Sequence, residues 1–265
     1  MPTIDAYTPG EPCWVDLSSS DTERSTGFYT ALFGWTATGA GEAYGNYVTF
    51  YKGDAQVAGM SRARSGLGLA DVWTTYLAVD EVDAMTQAAR AAGAQILMDP
   101  MTVGDRGRVS MLLDPTGAAI GLWQPAGHAG FEVNNEYASP VWHELNTRDY
   151  DAALVFYRLV FGWNLMPLSD AVELRYSTFG VEGTMVGGVY DAHATLPDGV
   201  PSHWRLYFGV ADVPAAAARV VELGGTILRE PWNSEFGVFA TVADPTGAIF
   251  QLGGVAVETD SVPST

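Results

Sequence analysis

Two short segments of the sequence place a carboxylate two residues after a tryptophan. They are Trp14-Val15-Asp16 and Trp142-His143-Glu144. A carboxylate beside a large ring can accept a hydrogen bond from a bound molecule or, where it is accessible, act as a general base. The same spacing also suits a strand that points a ring and an acid to one side of a sheet. These segments are therefore candidate sites for ligand binding or proton transfer.

Other reactive groups point less clearly to a site. Arg106 and Arg108 follow Gly104 and could hold an anion, but a solvated loop is the simpler interpretation because the second half of the chain has no matching arginines. The single cysteine, Cys13, has no histidine partner that the sequence identifies, so a thiol nucleophile is unsupported. No serine lies in a nucleophile elbow, and no glycine-rich phosphate loop follows a strand.

The chain is an internal duplication. The segment from Trp14 to Trp35 recurs from Trp142 to Trp163, with Asp, Phe-Tyr and Gly-Trp at the same places. The turn sequence Asp-Pro-Thr-Gly also occurs twice, beginning at Asp114. Self-similarity of this kind defines architecture before any single residue does. A residue that the fold needs should appear in both copies, whereas a residue with a special chemistry can appear in one.

Local patterns predict the same elements in each half. A strand begins at each tryptophan, and Asp21 or Asp149 then caps a helix that Gly34 or its counterpart ends. A second strand and helix follow, with Asp80 and Asp212 as the expected caps. The Asp-Pro-Thr-Gly segments are typical of hairpin turns. The sequence therefore predicts an α+β fold of four βαβββ units, two in each half.

Length and composition limit the domain organisation and the partners. We expect a first module over residues 1–124, a polar linker over 125–139 and a second module with a short C-terminal tail over 140–265. The chain has 13 Lys and Arg against 31 Asp and Glu, a net charge of −18. A chain with this negative charge would repel nucleic acid and anionic lipid. The sequence at the N-terminus lacks the pattern of a signal peptide. We expect a cytoplasmic protein, monomeric or homodimeric, with no nucleic-acid or membrane partner.

The order, spacing and duplication of these motifs resemble the vicinal oxygen chelate superfamily over nearly the whole chain. This superfamily includes glyoxalase I, bleomycin-resistance proteins, fosfomycin-modifying enzymes and extradiol dioxygenases. The resemblance implies that each pair of βαβββ units forms a half-open barrel, a cup whose inner face binds the ligand. Two glyoxalase-like cups are then expected in this chain.

The resemblance also implies where metal ligands would stand in each cup. One ligand would stand at the start of the first strand of each unit. Another would stand on the last strand, after the Asp-Pro-Thr-Gly turn. These positions hold Trp14, Thr74 and Gly121 in the first half and Trp142, Arg205 and Gln251 in the second. Divalent ions need convergent imidazole and carboxylate ligands, and only Gln251 offers even a weak one. We therefore expect no metal and no other cofactor.

Histidines provide the alternative to this expectation. A shift of one residue would bring His143 to the ligand position, but it would also turn Trp142 and Glu144 out of the cup. We interpret His143 as a structural histidine on the helix side of its sheet, and His203, which begins a strand, in the same way. A metal site that uses His143, His203 or Glu144 in another arrangement remains the competing interpretation.

Strand alternation predicts which side chains line the cups. The lining alternates large rings with a few polar groups, which suits a bulky, partly aromatic ligand. Rings that only fill the barrels as core are an equal alternative. The predicted ligand-binding residues are Trp14, Asp16, Thr74, Tyr76 and Trp123 in the first cup and Trp142, Glu144, Arg205, Tyr207 and Gln251 in the second.

Three functions are compatible with this lining. The preferred one is a metal-independent binding protein of the bleomycin-resistance type, with a bulky aromatic small molecule such as a polyketide or anthracycline-like antibiotic as partner, for sequestration, resistance or biosynthesis. The second is a cofactor-free isomerase or cyclase, with Glu144 as general base and Arg205 stabilising negative charge as the candidate catalytic residues. In that case Glu144 must not be permanently paired with Arg205. The third is a metal-dependent lyase, glyoxalase or dioxygenase with unusual ligands.

Overall fold

The first half of the chain contains two βαβββ units. The structure is a computed structural model that describes residues 6–63, 71–171, 174–180 and 185–254. The first unit comprises β1 (Pro12–Ser19), α1 (Thr22–Phe33), β2 (Thr36–Gly39), a short 3₁₀ turn (Glu42–Tyr44), β3 (Val48–Lys52) and β4 (Ala55–Arg62). The second comprises β5 (Val72–Ala78), α2 (Val82–Ala91), β6 (Gln95–Val103), β7 (Gly107–Leu113) and β8 (Ala119–Pro125).

The second half repeats this order of elements. Its first unit comprises β9 (Pro140–Thr147), α3 (Tyr150–Phe161), β10 (Leu165–Ala171), β11 (Leu174–Phe179) and β12 (Gly187–Asp191). Its second unit comprises β13 (His203–Val210), α4 (Val213–Glu222), β14 (Thr226–Ser234), β15 (Gly237–Ala243) and β16 (Ile249–Gly254). The predicted four units are therefore confirmed.

Each half forms one open eight-stranded mixed sheet. The strand order is β2-β3-β4-β1-β5-β8-β7-β6 in the first and β10-β11-β12-β9-β13-β16-β15-β14 in the second. The first strands of the two units pair antiparallel at the centre, β1 with β5 and β9 with β13. The two units of a half thus share one sheet, as the predicted half-open barrels require.

Most of the predicted helix caps are present. The Asp21 side chain accepts a hydrogen bond from the Arg24 amide at 3.1 Å, and Asp149 and Asp212 cap α3 and α4 in the same way. The prediction for Asp80 is wrong. The N-cap residue of α2 is Glu81, which makes no side-chain cap, and the Val82 amide donates to Gln124 Oε1 at 3.0 Å instead.

The hydrophobic core lies between the helix-bearing faces of the two sheets. One cluster of buried residues joins α1 of the first half to β13, β16 and α4 of the second, and Phe33 packs on Phe208 with ring centroids 5.0 Å apart. Another cluster joins β5, β8 and α2 to β9 and α3. Each unit therefore buries its apolar face against a unit of the other half.

The residues between the two modules also enter the core. Phe131, within the segment expected to be a polar linker, is fully buried, and its amide donates to the Cys13 carbonyl at 2.8 Å. Trp35, just after α1, donates from Nε1 to the Ala138 carbonyl at 2.9 Å. This segment is therefore packed between the modules. Among the described residues, no helix is both long and apolar enough to cross a membrane.

Candidate functional site: two ring-lined cups

The helix-free face of each sheet collects the residues that strand alternation predicted. In the first sheet Trp14 lies opposite Tyr76, and Asp16 lies opposite Thr74. Trp123 lies on the neighbouring strand β8, which runs parallel to β5. We call this lining, with the residues that contact it, the first cup.

The second sheet repeats the arrangement. Trp142 lies opposite Tyr207, and Glu144 lies opposite Arg205. Gln251 on β16 pairs in register with Tyr207. This lining is the second cup. All ten predicted residues therefore occupy the helix-free faces, five in each sheet.

A hydrogen-bonded carboxylate lies on the floor of the first cup. Trp14 Nε1 is 3.1 Å from Asp16 Oδ1 and 2.9 Å from the Tyr47 hydroxyl, and that hydroxyl donates to Asp16. Burial raises the pKa of Asp16 to about 6, and the hydrogen bonds from Tyr47, Trp14 and Tyr76 limit the rise. The carboxyl can therefore change protonation near neutral pH.

A glycine makes room for this cluster. Gly59 on β4 lies opposite Asp16, and a Cβ atom there would lie 1.7 Å from the Tyr47 hydroxyl and 2.2 Å from Asp16 Oδ1. Gly188 on β12 has the same role in the second cup, where a Cβ atom would lie 2.0 Å from the Tyr176 hydroxyl. Both modules thus preserve the close approach of a tyrosine to the backbone.

Contacts from outside the sheet cover the first cup. The His128 ring packs edge-on against Trp14 with centroids 4.5 Å apart, and Trp123 Nε1 donates to the His128 carbonyl at 2.9 Å. Burial lowers the pKa of His128 to about 4, so this ring is neutral at physiological pH. Between the β2–β3 and β6–β7 connections, the Tyr44 hydroxyl donates to Asp105 Oδ1 at 2.9 Å.

The second cup has the same carboxylate cluster with a different acid. Glu144 accepts hydrogen bonds from Asn146 Nδ2 at 2.9 Å and from the hydroxyls of Tyr176 and Tyr207 at 3.1 Å each. Trp142 Nε1 donates to the Tyr176 hydroxyl at 2.9 Å. Burial, with the charge of Glu144 as the next cause, raises the pKa of Tyr176 and Tyr207 well above the usual range.

Glu144 and Arg205 do not form the ion pair that the sequence left open. They are neighbours in register, yet the ion pairs found among the described residues do not join them. The carboxylate is held by hydroxyl and amide groups instead. The charge of Arg205 and its hydrogen bond with the Tyr207 hydroxyl offset only part of the rise that burial causes in the pKa of Tyr207.

The two cups differ in which of their matched residues are exposed. Trp14 and Thr74 are only 5% and 6% exposed, whereas Trp142 and Arg205 at the matching places are half-buried. The Asp16 carboxyl is half-buried, while Glu144 is 9% exposed. In the first cup the acid is therefore partly exposed, whereas in the second cup the acid is buried and Trp142 is partly exposed.

The residues at the family's metal positions do not fit a divalent ion. Indole, guanidinium and hydroxyl groups do not supply the required anionic or imidazole donors. At Gly121, moreover, a Cβ atom would lie 2.1 Å from the Tyr76 ring, so that ring occupies the space of a side chain there. Within the described parts of the chain, no three His, Cys, Asp or Glu side chains come together as a metal site.

The histidines proposed as alternative ligands lie apart from each other. His143 is on the helix side of β9, where its Nδ1 is 3.1 Å from the Thr75 hydroxyl, and burial lowers its pKa to about 3. His203 pairs in register with Asn146, on the face that carries Glu144, and its Nδ1 is 2.9 Å from the Pro201 carbonyl. Because Thr75 belongs to the first module and His143 to the second, the contact between them connects the two modules.

Two tyrosines that hold the acids, Tyr47 and Tyr176, were not among the predicted site residues. Tyr47 and Tyr176 precede Val-Thr-Phe50 and Ser-Thr-Phe179, so comparison of the two copies could have found them as a repeated residue. Asn146 and His128 have no such signal. The arginines near Gly104 form surface contacts, because Arg108 pairs with exposed Asp83 and Arg106 lies 3.9 Å from Asp105.

Comparison with known proteins agrees with this architecture. The model of the Glyoxalase/Bleomycin resistance protein/Dioxygenase superfamily matches residues 13–122, and that of the glyoxalase-like domain matches residues 142–253. The manganese-bound glyoxalase from Novosphingobium aromaticivorans has the same fold, with a TM-score of 0.63 and 18% identity over 93% of this chain and 82% of that chain.

Two curated relatives align over nearly their whole length. The chain is 38% identical to the Mycobacterium tuberculosis protein named "Putative glyoxylase CFP32", over 95% of this chain and 97% of that protein. It is 34% identical to the anthracycline biosynthesis protein DnrV of Streptomyces peucetius, over 93% and 94%. The chain therefore belongs to the glyoxalase, bleomycin-resistance protein and dioxygenase superfamily, as a member with two modules.

Proposed function

We propose that this protein binds a bulky, flat aromatic small molecule in one or both cups without a metal ion, in the manner of a bleomycin-resistance protein. The observation that carries the proposal is the replacement of the metal positions by tryptophan, threonine, glycine, arginine and glutamine. Rings and a few polar groups remain, and such a lining holds a ligand by stacking and orients it by hydrogen bonds.

The carboxylate clusters support this function. Asp16 and Glu144 each lie beside a tryptophan and a pair of tyrosines, so a ligand hydroxyl could compete for an acid that is already held in place. Groups fixed in this way lose little conformational entropy when a ligand binds.

The curated relatives support a ligand class. Two of them are named as anthracycline biosynthesis proteins. A flat polyketide with fused aromatic rings would match the ring-lined cups in shape and chemistry. A role in antibiotic biosynthesis, as an accessory, sequestering or resistance protein, follows from the proposal.

Binding of 1,8-dihydroxyanthraquinone, followed by quenching of tryptophan fluorescence, tests the proposal. We expect binding that survives dialysis against EDTA, because no step needs a metal. Replacing the ring with Trp142→Ala or Trp14→Ala should weaken binding by about 1 to 3 kcal/mol in the cup that is occupied.

The conservative variants Trp142→Phe and Trp14→Phe serve as controls, since each keeps a ring and removes the indole N–H. They should retain most of the affinity if stacking dominates. Loss of binding after metal removal, with recovery on addition of one metal ion per chain, would reverse the proposal in favour of a metal-dependent enzyme.

A cofactor-free isomerase or cyclase is the second candidate function. The observation in its favour is that Glu144 is not paired with Arg205, although the two are neighbours in register. The test is deuterium exchange at an acidic carbon of a bound ketone-bearing probe such as 1-tetralone, followed by NMR. Catalysed exchange that Glu144→Gln abolishes would support it, and exchange at the buffer rate would exclude this chemistry for the probe.

A further inference from the structure

We propose that the second cup holds an anionic oxygen of its aromatic ligand, a carboxylate or an enolate, through Arg205, Gln251 and Arg229. The inference rests on the proposed function and names the cup and the chemical class of the ligand. Three observations carry it: a guanidinium on the cup floor that joins none of the ion pairs found among the described residues, a buried amide with an unpaired end, and a second arginine in the same cross-strand row as that amide.

Arg205 provides a positive charge on the floor of the second cup. It is half-buried, lies opposite Glu144 in register, and takes part in none of the ion pairs found among the described residues. Glu144 is already engaged by Asn146 and two tyrosines. A planar guanidinium in this position can therefore donate to a ligand carboxylate or enolate.

Gln251 provides a buried amide with one free end. Its Oε1 accepts from the Thr241 hydroxyl at 2.8 Å, while its Nε2 is a buried atom with no hydrogen-bond partner. The residue is 1% exposed. A buried polar group without a partner requires an explanation, and a ligand oxygen would supply the missing acceptor.

Arg229 extends the same row of side chains across the sheet. It lies opposite Thr241, and Thr241 lies opposite Gln251. Gln251 pairs in turn with Tyr207, which follows Arg205 by two residues on β13 and therefore shares its face of the sheet. The Arg229 guanidinium stacks over the Trp232 ring at 3.8 Å from its centroid. This row and Arg205 beside it therefore combine two cations with a ring surface, in a chain whose net charge is −18.

The first cup has neutral residues at all three matching positions. Thr74, opposite Asp16, takes the place of Arg205, which lies opposite Glu144 in the second cup. Gly121, paired with Tyr76, takes the place of Gln251, which pairs with Tyr207. On the outer strands Met98 lies opposite Met111, whereas Arg229 lies opposite Thr241. At these three positions, only the second cup has arginine or amide donors for an anion.

Two probes with the same ring system isolate the effect of charge. Anthraquinone-2-carboxylate and 2-(hydroxymethyl)anthraquinone are titrated against the full-length protein by isothermal calorimetry at low and at high salt. We expect the carboxylate to bind about 10-fold more tightly, with a preference that falls as salt rises.

Arg205→Gln should remove the preference by weakening binding of the carboxylate probe about 10-fold or more, so that the two probes bind with similar affinity. Arg205→Lys should retain part of the preference for the carboxylate probe, because lysine keeps the positive charge but lacks the planar guanidinium group. Arg158→Gln is the matched control: it removes one exposed positive charge on α3, outside both cups. Gln251→Leu should weaken binding of the carboxylate probe with little change in melting temperature, since the one hydrogen bond it removes is that of the half-buried Thr241 hydroxyl.

The outcomes separate this inference from the proposed function. Equal binding of the two probes, or a preference that Arg205→Gln leaves unchanged, would overturn the inference while aromatic binding still stands. A fall in melting temperature with Gln251→Leu and no loss of the preference would assign that residue to the fold and overturn its role here. Failure of both probes and of 1,8-dihydroxyanthraquinone to bind would overturn the proposed function and the inference together.

Discussion

At the scale of single residues, Asp16 lies in an environment unlike that of an exposed acid. Its pKa rises from 3.8 to about 6 because burial disfavours the charged form more than its hydrogen bonds favour it. A carboxyl whose pKa is raised by folding stabilises the fold fully below the unfolded-state value. That contribution is lost as the pH rises through the folded-state pKa.

Asp16→Asn should therefore change how stability depends on pH. Relative to the variant, the wild-type protein should lose about 2 kcal/mol of unfolding free energy between about pH 4 and pH 7, a value reduced for the partial exposure of the carboxyl. Urea unfolding at a series of pH values measures the difference. Asp54→Asn, on the exposed β3–β4 turn, should give a curve parallel to wild type. Parallel curves for both variants would show that Asp16 has an ordinary pKa.

The lining of the cups was largely predictable from the sequence, but the partners of the acids were not. Alternation along β1 and β9 places Trp14 with Asp16 and Trp142 with Glu144 on one face, whatever the rest of the chain does. Tyr47, which immediately precedes β3, and Tyr176 on β11 reach these acids from strands whose place in the sheet depends on strand order. The ion pair considered for Glu144 and Arg205 fails for the same reason, because hydroxyls from another strand reach the carboxylate.

At the scale of elements, the Asp-Pro-Thr-Gly hairpins connect the two modules as well as turning the chain. Asp114 Oδ1 accepts from the Thr116 amide and hydroxyl, as a turn aspartate does. Its other oxygen accepts from the Tyr157 hydroxyl of α3 at 2.9 Å. Asp244 has the corresponding contact with Ser25 of α1 at 3.3 Å. The sequence predicted these turns but gave no sign that the buried acids bridge the halves.

Tyr157→Phe tests this bridge. The variant keeps the ring but leaves Asp114 Oδ2 and the Trp204 indole N–H, 3.2 Å from the same hydroxyl, without their partner. We expect a loss of about 1 to 3 kcal/mol in unfolding free energy. Chemical denaturation provides the measurement, and Tyr137→Phe, at an exposed position, is the control. Equal stability of the two variants would mean that the bridge contributes nothing.

Helix boundaries show where local sequence is sufficient and where it is not. Asp21, Asp149 and Asp212 cap their helices through their own side chains, which a local motif captures. At α2 the first amide is satisfied by Gln124 from β8, so the aspartate expected as its cap is not needed. The local pattern misplaced the N-cap of α2 because a residue from a distant strand satisfies the first amide of that helix.

At the scale of the whole molecule, neither module buries its helix face alone. Phe28 of α1 packs against Phe250 of β16, and Tyr157 of α3 bonds to Asp114 of the first half. Sequence duplication predicted two similar modules, but it could not show that each unit packs against a unit of the other copy. Each cup is thus supported from behind by the opposite module.

Separating the modules tests this dependence. Cutting the chain between Asn134 and Asn135 leaves Phe131 with the first part and should expose the core faces of both. We expect intact protein to unfold in one calorimetric transition, because a shared core makes two halves cooperative. Each part alone should bind a hydrophobic dye and lack a sharp transition, whereas mixing them should restore both the transition and binding of 1,8-dihydroxyanthraquinone. Two separate transitions in the intact chain, or a part that folds and binds by itself, would show that the modules are independent and that the core between them is not needed to shape a cup.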